Sequence, residues 1–261
     1  MVVLSLFPGI DLLGRAFEAG GFCVVRGPDR LWGGDIREFS PPPGVFWGII
    51  GGPPCQDFSA ARRSEATGEG LELLAEFERV TLQAAPEWWL LENVPRVPDV
   101  RIEGYSWQRL DLDQGWFSGV SGLRHIQFGS RSGVFLDVPA GRKVRGAEPR
   151  AMASDGRTFA ELCRVQGLPG ELDLPGFTIE AAKRAIGNAV PWCLGRELCR
   201  AVAAGYGVSG GARASFDPAA CDRRRCACGC GRTVSEFATY SGPACRKRAQ
   251  RARDKEAGIV R

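Results

Sequence analysis

Val2-Val3-Leu4-Ser5-Leu6-Phe7-Pro8-Gly9-Ile10-Asp11-Leu12-Leu13-Gly14-Arg15-Ala16-Phe17 carries the clearest fold signal in the sequence. Its first six residues are a short apolar run rich in β-formers, and they run straight into Pro8-Gly9. Leu12, Leu13, Ala16 and Phe17 then recur at helical spacing until Gly20-Gly21 stops them. The pattern predicts strand, tight turn, helix. In open α/β sheets the crevice at the strand C-terminal ends binds nucleotides, and a glycine there lets a ligand approach the backbone. An ordinary βα turn reads the same way, so the turn alone names no ligand.

The alternation continues outward. Phe22–Val25 predicts a second strand, Phe46–Ile50 a third that ends at Gly51-Gly52-Pro53-Pro54, and Trp88–Leu91 a fourth after a helical stretch from Gly70 to Ala85. His125–Phe128 and Val134–Leu136 read as strands that pair with each other. Ile179–Ile186 and Val190–Ala204 read as helices. Strands alternating with helices predict an α/β fold with a mostly parallel sheet. Trp88, Trp89 and His125 are expected to pack inside it, and Cys23, Cys163, Cys193 and Cys199 to be small buried apolar residues.

Composition limits the possibilities. With 261 residues, 44% of them hydrophobic, the chain can bury a core, which excludes disorder throughout. No apolar run approaches the roughly 18 residues that cross a bilayer, and MVVLSLFPGID lacks a basic leader region. A cytoplasmic protein with no membrane association is expected. Residues 221–261 carry 11 Lys and Arg against 4 Asp and Glu, so the net charge of +4 belongs to the tail. A basic tail suits a polyanion. Cys221, Cys226, Cys228, Cys230 and Cys245 also crowd there, whereas the other five cysteines are scattered. Without a secretory signal, a disulfide framework is not expected.

Two loops carry the chemistry. Gly51-Gly52-Pro53-Pro54-Cys55-Gln56-Asp57-Phe58-Ser59 follows a predicted strand, with prolines to stiffen it and Cys55 at its tip. A thiolate is a strong nucleophile whose pKa falls near positive groups, so Cys55 is a candidate for covalent catalysis. Glu92-Asn93-Val94-Pro95 follows the next strand, and a carboxyl at that strand end can donate or accept a proton.

Together with the first turn, these segments resemble the cytosine-C5 DNA methyltransferases over most of residues 3–204. Arg157-Thr158-Phe159-Ala160-Glu161 with Gln166-Gly167-Leu168-Pro169, and Gly187-Asn188-Ala189-Val190-Pro191, are similar to the family's last two motifs. The resemblance implies a Rossmann-like fold and S-adenosyl-L-methionine as cofactor, met by Phe7, Gly9, Ile10, Asp29, Asp35, Ile36, Pro54, Asn188 and Val190. It implies that Cys55 attacks C6 of a cytosine flipped out of double-stranded DNA while Glu92 protonates the N3 edge. C5 then takes the methyl group, a base removes the C5 proton, and Cys55 leaves. Arg124 would support the base, with Gln56, Ser59, Asn93 and Arg131 as further substrate contacts, Arg131 standing in for the second of the family's two usual arginines.

The chain departs from the family pattern in four places. Gly9-Ile10-Asp11-Leu12 replaces a Gly-x-Gly-Gly loop, and an acid there would repel the cofactor carboxylate unless it hydrogen-bonds elsewhere. The arginine-rich motif is thin. The recognition domain shrinks to residues 137–156, too few for a domain but enough for a basic loop with Arg142, Lys143, Arg145 and Arg150. Beyond a catalytic domain at 1–206 and a linker at 207–218, residues 219–261 resemble a small zinc finger, with Cys226, Cys228, Cys230 and Cys245 as thiolate ligands of a tetrahedral Zn²⁺. Free or disordered cysteines remain the alternative, and within the zinc reading any one of Cys221, Cys226 and Cys228 can be the spare. Arg246, Lys247, Arg248, Arg251 and Arg253 recur at helical spacing and suit DNA phosphates. The expectation is a stand-alone, monomeric modification enzyme of a bacterial or bacteriophage genome that masks DNA from restriction. A tRNA cytosine-C5 methyltransferase and a DNA-binding relative without turnover are the rival readings.

Overall fold

A computed structural model describes residues 1–59, 65–141, 147–152, 156–168, 170–208, 224–225, 233–234 and 243–256. The first half contains β1 (Val2–Leu6), α1 (Leu12–Ala19), β2 (Cys23–Arg26), β3 (Gly48–Gly51), α2 (Glu69–Ala84), β4 (Trp88–Asn93) and β5 (Ser106–Asp113). β6 (Val120–Ser121), β7 (Leu123–Ser130), β8 (Glu148–Pro149), α3 (Phe159–Val165), α4 (Ile179–Asn188) and α5 (Trp192–Gly205) follow. In the tail, β9 (Arg224–Arg225) pairs antiparallel with β10 (Thr233–Val234), and α6 spans Pro243–Glu256.

The central sheet runs β2-β1-β3-β4-β7-β5. The first four strands are parallel and β7 is antiparallel to both its neighbours. Strands buried on both faces need apolar side chains at every position rather than at alternate ones. Val3, Ile50, Trp88 and Leu90 accordingly meet Leu13 and Phe17 of α1 and Leu194, Leu198 and Val202 of α5. Leu4, Leu6, Ile49, Trp89 and Leu91 face the other way, onto Leu73, Phe77 and Val80 of α2. A third cluster joins Ile10 and Leu12 to α3, α4 and Trp192.

The tryptophans of β4 fit because their neighbours are glycines. Gly48 lies opposite Trp88 and Gly129 opposite Trp89 in the registers of β3 and β7. A methyl group added at Gly48 would fall 2.2 Å from the Trp88 ring, and one at Gly129 2.3 Å from the Trp89 ring nitrogen. Both rings are fully buried, so neither can swing away. Gly48→Ala and Gly129→Ala are each expected to lower stability by about 1–3 kcal/mol through overpacking, read as a shift in the urea midpoint.

Three expectations are corrected. Val134–Leu136 is not a strand: the Gln108 side-chain amide takes both backbone groups of Leu136, at 2.7 and 2.9 Å, so the segment is tied to the sheet edge without a ladder. β7 pairs instead with β5. Cys23 is exposed on the edge strand β2 rather than buried, whereas Cys163 and Cys199 are buried as expected and burial raises their thiols to about 11 and about 12.

Candidate active site

The first turn, at the end of β1, is bent by three left-handed residues, Phe7 (φ 52°), Gly9 (φ 55°) and Asp11 (φ 55°). A bulky residue rarely adopts that conformation, so the loop stores strain where a ligand would approach. Gly9 is clamped at both ends of its peptide. Its N–H donates to Asp29 Oδ2 at 2.8 Å, and its carbonyl accepts from Trp32 Nε1 at 2.8 Å. Asp29 also accepts from Leu31 N at 2.7 Å, capping the short turn Arg30–Trp32. Trp32 keeps 61% of its surface exposed and lies 5.8 Å from the Phe177 ring. Composition and spacing gave no sign of Trp32 as a site residue. An open glycine loop, a carboxylate with lone pairs to spare and an exposed indole face are suited to a nucleoside with vicinal hydroxyls.

Asp11 does not point at that space. Its carboxylate accepts from Ser5 Oγ at 2.8 Å and from Gly14 N at 3.0 Å, and lies 2.8 Å from Arg26 Nε. Gly14 is required, because a methyl group there would sit 2.3 Å from the carboxylate. The expected repulsion is therefore met by internal partners. Burial raises the Asp11 carboxyl above its ordinary value, against the pull of Ser5, Arg26 and Gly14. A raised acid binds its proton more tightly folded than unfolded, so stability is lost as pH rises from the ordinary carboxylate value through the raised one. Asp11→Asn is expected to flatten that part of a melting-temperature profile recorded from pH 3 to 7.

Not every expected contact faces the cleft. Ile36 (3% exposed) and Ile10 (5%) are core residues whose side chains lie in separate apolar clusters, and Val190 (8%) packs with α5, so each side chain leaves little surface for a ligand. Phe7 also packs against the α2 side. Asp35 caps the turn Ile36–Glu38 and accepts from the Arg37 N–H and guanidinium, which hold its carboxyl below the ordinary range. Asn188 is exposed at the end of α4. Its surroundings are fixed by buried Gln166, which donates to the carbonyls of Ile186 (2.6 Å) and Ala189 (2.9 Å).

The second loop leaves the end of β3. Asp57 accepts from Thr67 N (3.0 Å) and Gly70 N (2.8 Å), tying the loop to the start of α2, while Phe58 N donates to Cys55 O at 3.0 Å. Pro54 and Ser59 are half-buried and Gln56 is exposed. Asn93 was expected to touch substrate. It is instead buried, its amide donating to Pro53 O at 3.0 Å and its carbonyl oxygen accepting from Val94 N at 2.8 Å. Asn93 is a staple between the Cys55 loop and β4.

Glu92, next to last in β4, lies beside Arg124, whose Nε is 2.9 Å from Glu92 Oε1. The antiparallel register of β7 brings Arg124 to this end of the sheet. Both side chains are about nine-tenths buried, and Arg124 Nη1 has no hydrogen-bond partner among the described residues. Burial pushes the Glu92 carboxyl up, opposed by Arg124 and Arg150. Burial also pushes the Cys55 thiol up, with the charge of Glu92 adding to it and Arg124 and Arg150 opposing. A cleft of about 220 Å³ opens here, lined by Phe58, Ser59, Val94, Pro95, Arg96, Leu123 and Arg150. Arg131, expected as the second arginine, is corrected: it follows β7 at the opposite end of the sheet, where its guanidinium lies over the Tyr105 ring at 5.1 Å.

Residues 33–104 match the family model of C-5 cytosine-specific DNA methylase. The match covers the Cys55 loop and Glu92. Type II methyltransferase M.HgiDI of Herpetosiphon aurantiacus is 39% identical over 103 residues, 34% of this chain and 33% of that protein. Type II methyltransferase M.NgoPII of Neisseria gonorrhoeae is 30% identical over 113 residues, 36% of this chain and 33% of its own length. The chain thus aligns with about a third of the length of these curated relatives. Among solved structures, Spodoptera frugiperda DNMT2 superposes with a TM-score of 0.56 at 13% identity, covering 77% of this chain and 99% of that one. Entamoeba histolytica methyltransferase EhMeth gives 0.55 at 10% identity, covering 78% and 98%. The mixed α/β fold with its mostly parallel sheet is that of these methyltransferases.

Among the described residues no helix is long and apolar enough to cross a membrane, and no cluster of three His, Cys, Asp or Glu is placed to hold a metal. Cys221, Cys226, Cys228 and Cys230 lie outside the described residues. Cys245 is buried on α6.

Proposed function

We propose that this protein is a cytosine-C5 methyltransferase acting on DNA, with S-adenosylmethionine as methyl donor. The observation that carries the reading is that a loop-borne thiol, a buried carboxyl and its arginine lie together at the end of the sheet that also carries the Gly9 loop, beside a cleft lined by Phe58, Ser59, Val94 and Arg150. The family match over residues 33–104 supports the same assignment. Asp29, Trp32 and the Gly9 loop suit the nucleoside part of the cofactor, and the donor's chemical contribution is an electrophilic methyl group.

The chain's own residues account for the rest. The Cys55 sulfur adds to C6 of the pyrimidine, which pushes electron density through the ring toward N3 and C5. Glu92, whose carboxyl burial pushes up against the pull of Arg124 and Arg150, donates at N3 and removes the charge that addition would leave there. Arg124 holds Glu92 in place through the 2.9 Å contact. C5 is then nucleophilic. After methylation, a base takes the C5 proton, the Cys55 thiolate is expelled and N3 returns its proton to Glu92, which restores the ring. C6 is inaccessible in a stacked duplex, so the base enters the cleft flipped out.

The tail belongs to this reading as a DNA-affinity module. Arg246, Lys247, Arg248 and Arg251 are exposed on α6, and the β9–β10 pair followed by a helix with buried Cys245 suits a small fold stapled by zinc through Cys226, Cys228, Cys230 and Cys245. A role in protecting DNA from restriction, in a bacterial or phage-infected cytoplasm, fits the type II relatives. A duplex carrying 5-fluorocytosine tests the chemistry. Fluorine at C5 cannot leave as a proton does, so the thioether to Cys55 persists. The expected result is a complex that survives denaturing electrophoresis, requires S-adenosylmethionine and is lost in Cys55→Ser. No complex with a fluorinated substrate from folded protein would reject the reading.

A further inference from the structure

The cleft holds a guanidinium that the sequence did not assign to it. β6 and β8 pair in parallel with Val120 opposite Glu148 and Ser121 opposite Pro149, and the next position in each strand brings Arg150 beside Gly122. A methyl group added at Gly122 would lie 3.1 Å from Arg150 Cβ and 3.4 Å from its Cδ, so the Arg150 side chain runs through the volume that a side chain at 122 would occupy. The segment is clamped. Arg157 donates to the carbonyls of Pro149 (3.0 Å) and Arg150 (2.7 Å) and to Glu148 at 3.1 Å, while Arg164 pairs with Glu148 at 2.8 Å. Arg150 itself is half-buried and lines the cleft with Ser59 and Leu123.

Among the described residues its charge has no ion-pair partner, and Glu92 is already held by Arg124. Burial and the like charge of Arg124 both disfavour its protonated form, which Cys55 and Glu92 support only from a distance. The buried Nη1 of Arg124 also lacks an acceptor. The Arg124 Nη1 donor and the Arg150 guanidinium at the cleft suit an oxygen-bearing ligand.

We propose that Arg150 is the second substrate-gripping arginine of this site, delivered by the shortened recognition segment into the space left by Gly122, where it donates to an oxygen of the target nucleotide and stabilises the Cys55 thiolate. The inference deepens the cytosine methyltransferase reading and rests on it for the identity of the ligand. It also gives the Arg157–Glu148–Arg164 cluster a purpose, since that cluster holds the backbone from which Arg150 reaches in.

The test uses the full chain with Arg150→Ala, Arg150→Lys and the double variant Arg150→Ala with Gly122→Arg. One arm follows iodoacetamide alkylation of Cys55 against pH by peptide mass spectrometry, which needs no methyl transfer. Arg150→Ala is expected to move the alkylation profile to higher pH, and Arg150→Lys to leave it near that of the parent. The other arm measures kcat and KM on duplex DNA. Arg150→Ala is expected to lose about 10- to 100-fold in kcat/KM with an unchanged melting temperature, and Gly122→Arg to restore at least part of it, because the two positions share one volume. A methylphosphonate beside the target cytosine separates the acceptors: if Arg150 holds the phosphate, this substrate abolishes the difference between parent and Arg150→Ala, and if it holds the base carbonyl the difference persists. An unmoved alkylation profile together with parental kcat/KM would overturn the proposal. Absence of methylation in the parent chain, with a moved profile, would reject the DNA substrate and keep Arg150 in the site.

Discussion

Cys55→Ser is expected to abolish methyl transfer, with a loss on the order of 10⁴-fold or more in single-turnover rate, because removing a covalent nucleophile removes the pathway rather than one contact. The substitution changes one atom on a half-buried loop. Asp57 ties that loop to α2 and Asn93 ties it to β4 through groups that do not involve the sulfur. Stability should therefore stay within about 0.5 kcal/mol of the parent, the range of changes that touch no structural feature. A hydroxyl is far less acidic than a thiol. Methyl transfer assayed on plasmid DNA beside a urea titration separates the two effects. A Cys55→Ser protein that is folded and methylates at the parental rate would remove the covalent step from the account.

Glu92→Gln is expected to cost about 10²- to 10⁴-fold in rate, the usual worth of a positioned proton donor. Glutamine keeps the size of the side chain and can still accept from Arg124 Nε, but it holds no ionisable proton for N3. Glu92→Ala should do more. It leaves Arg124, 6% exposed, without its 2.9 Å partner, and breaking a buried pair from one side costs about 3–5 kcal/mol. Comparing the two variants by urea titration and single-turnover kinetics divides chemistry from scaffold. Glutamine at 92 with a parental rate would show that the carboxyl's role is purely structural.

Much of the fold was legible in the sequence because strands buried on both faces are continuous apolar runs. β1, β3 and β4 are mostly Val, Ile, Leu and Trp, with polar residues only at Ser5 and at the Glu92-Asn93 end, and turn residues bracket them. β5 was missed for the opposite reason. Ser106–Asp113 lies at the sheet edge, alternating polar and charged residues with Trp107, Leu110 and Leu112, and only its pairing with β7 makes it a strand. Val134–Leu136 misled because it is apolar and close to the sheet, yet it satisfies its backbone through one glutamine side chain.

The site divides in the same way. Cys55 and Glu92 each follow a strong strand, so local sequence places them at its C-terminal end. Arg150 follows a two-residue strand whose partner lies 28 residues earlier, a pairing without a local signal. Arg131 was preferred because it is near Arg124 in sequence, but seven residues along an extended strand carried it to the far edge of the sheet. Asn93 sits beside Glu92 in sequence and points the other way, as neighbours on a strand do.

Methylation of cytosine in DNA through Cys55 is read by bisulfite sequencing of plasmid DNA from cells that express this chain, beside cells expressing Cys55→Ser. The expected result is a set of protected cytosines in a shared sequence context that disappears in the variant. Uniform conversion of every cytosine in the presence of folded parent protein, or protection that persists with Cys55→Ser, would contradict it.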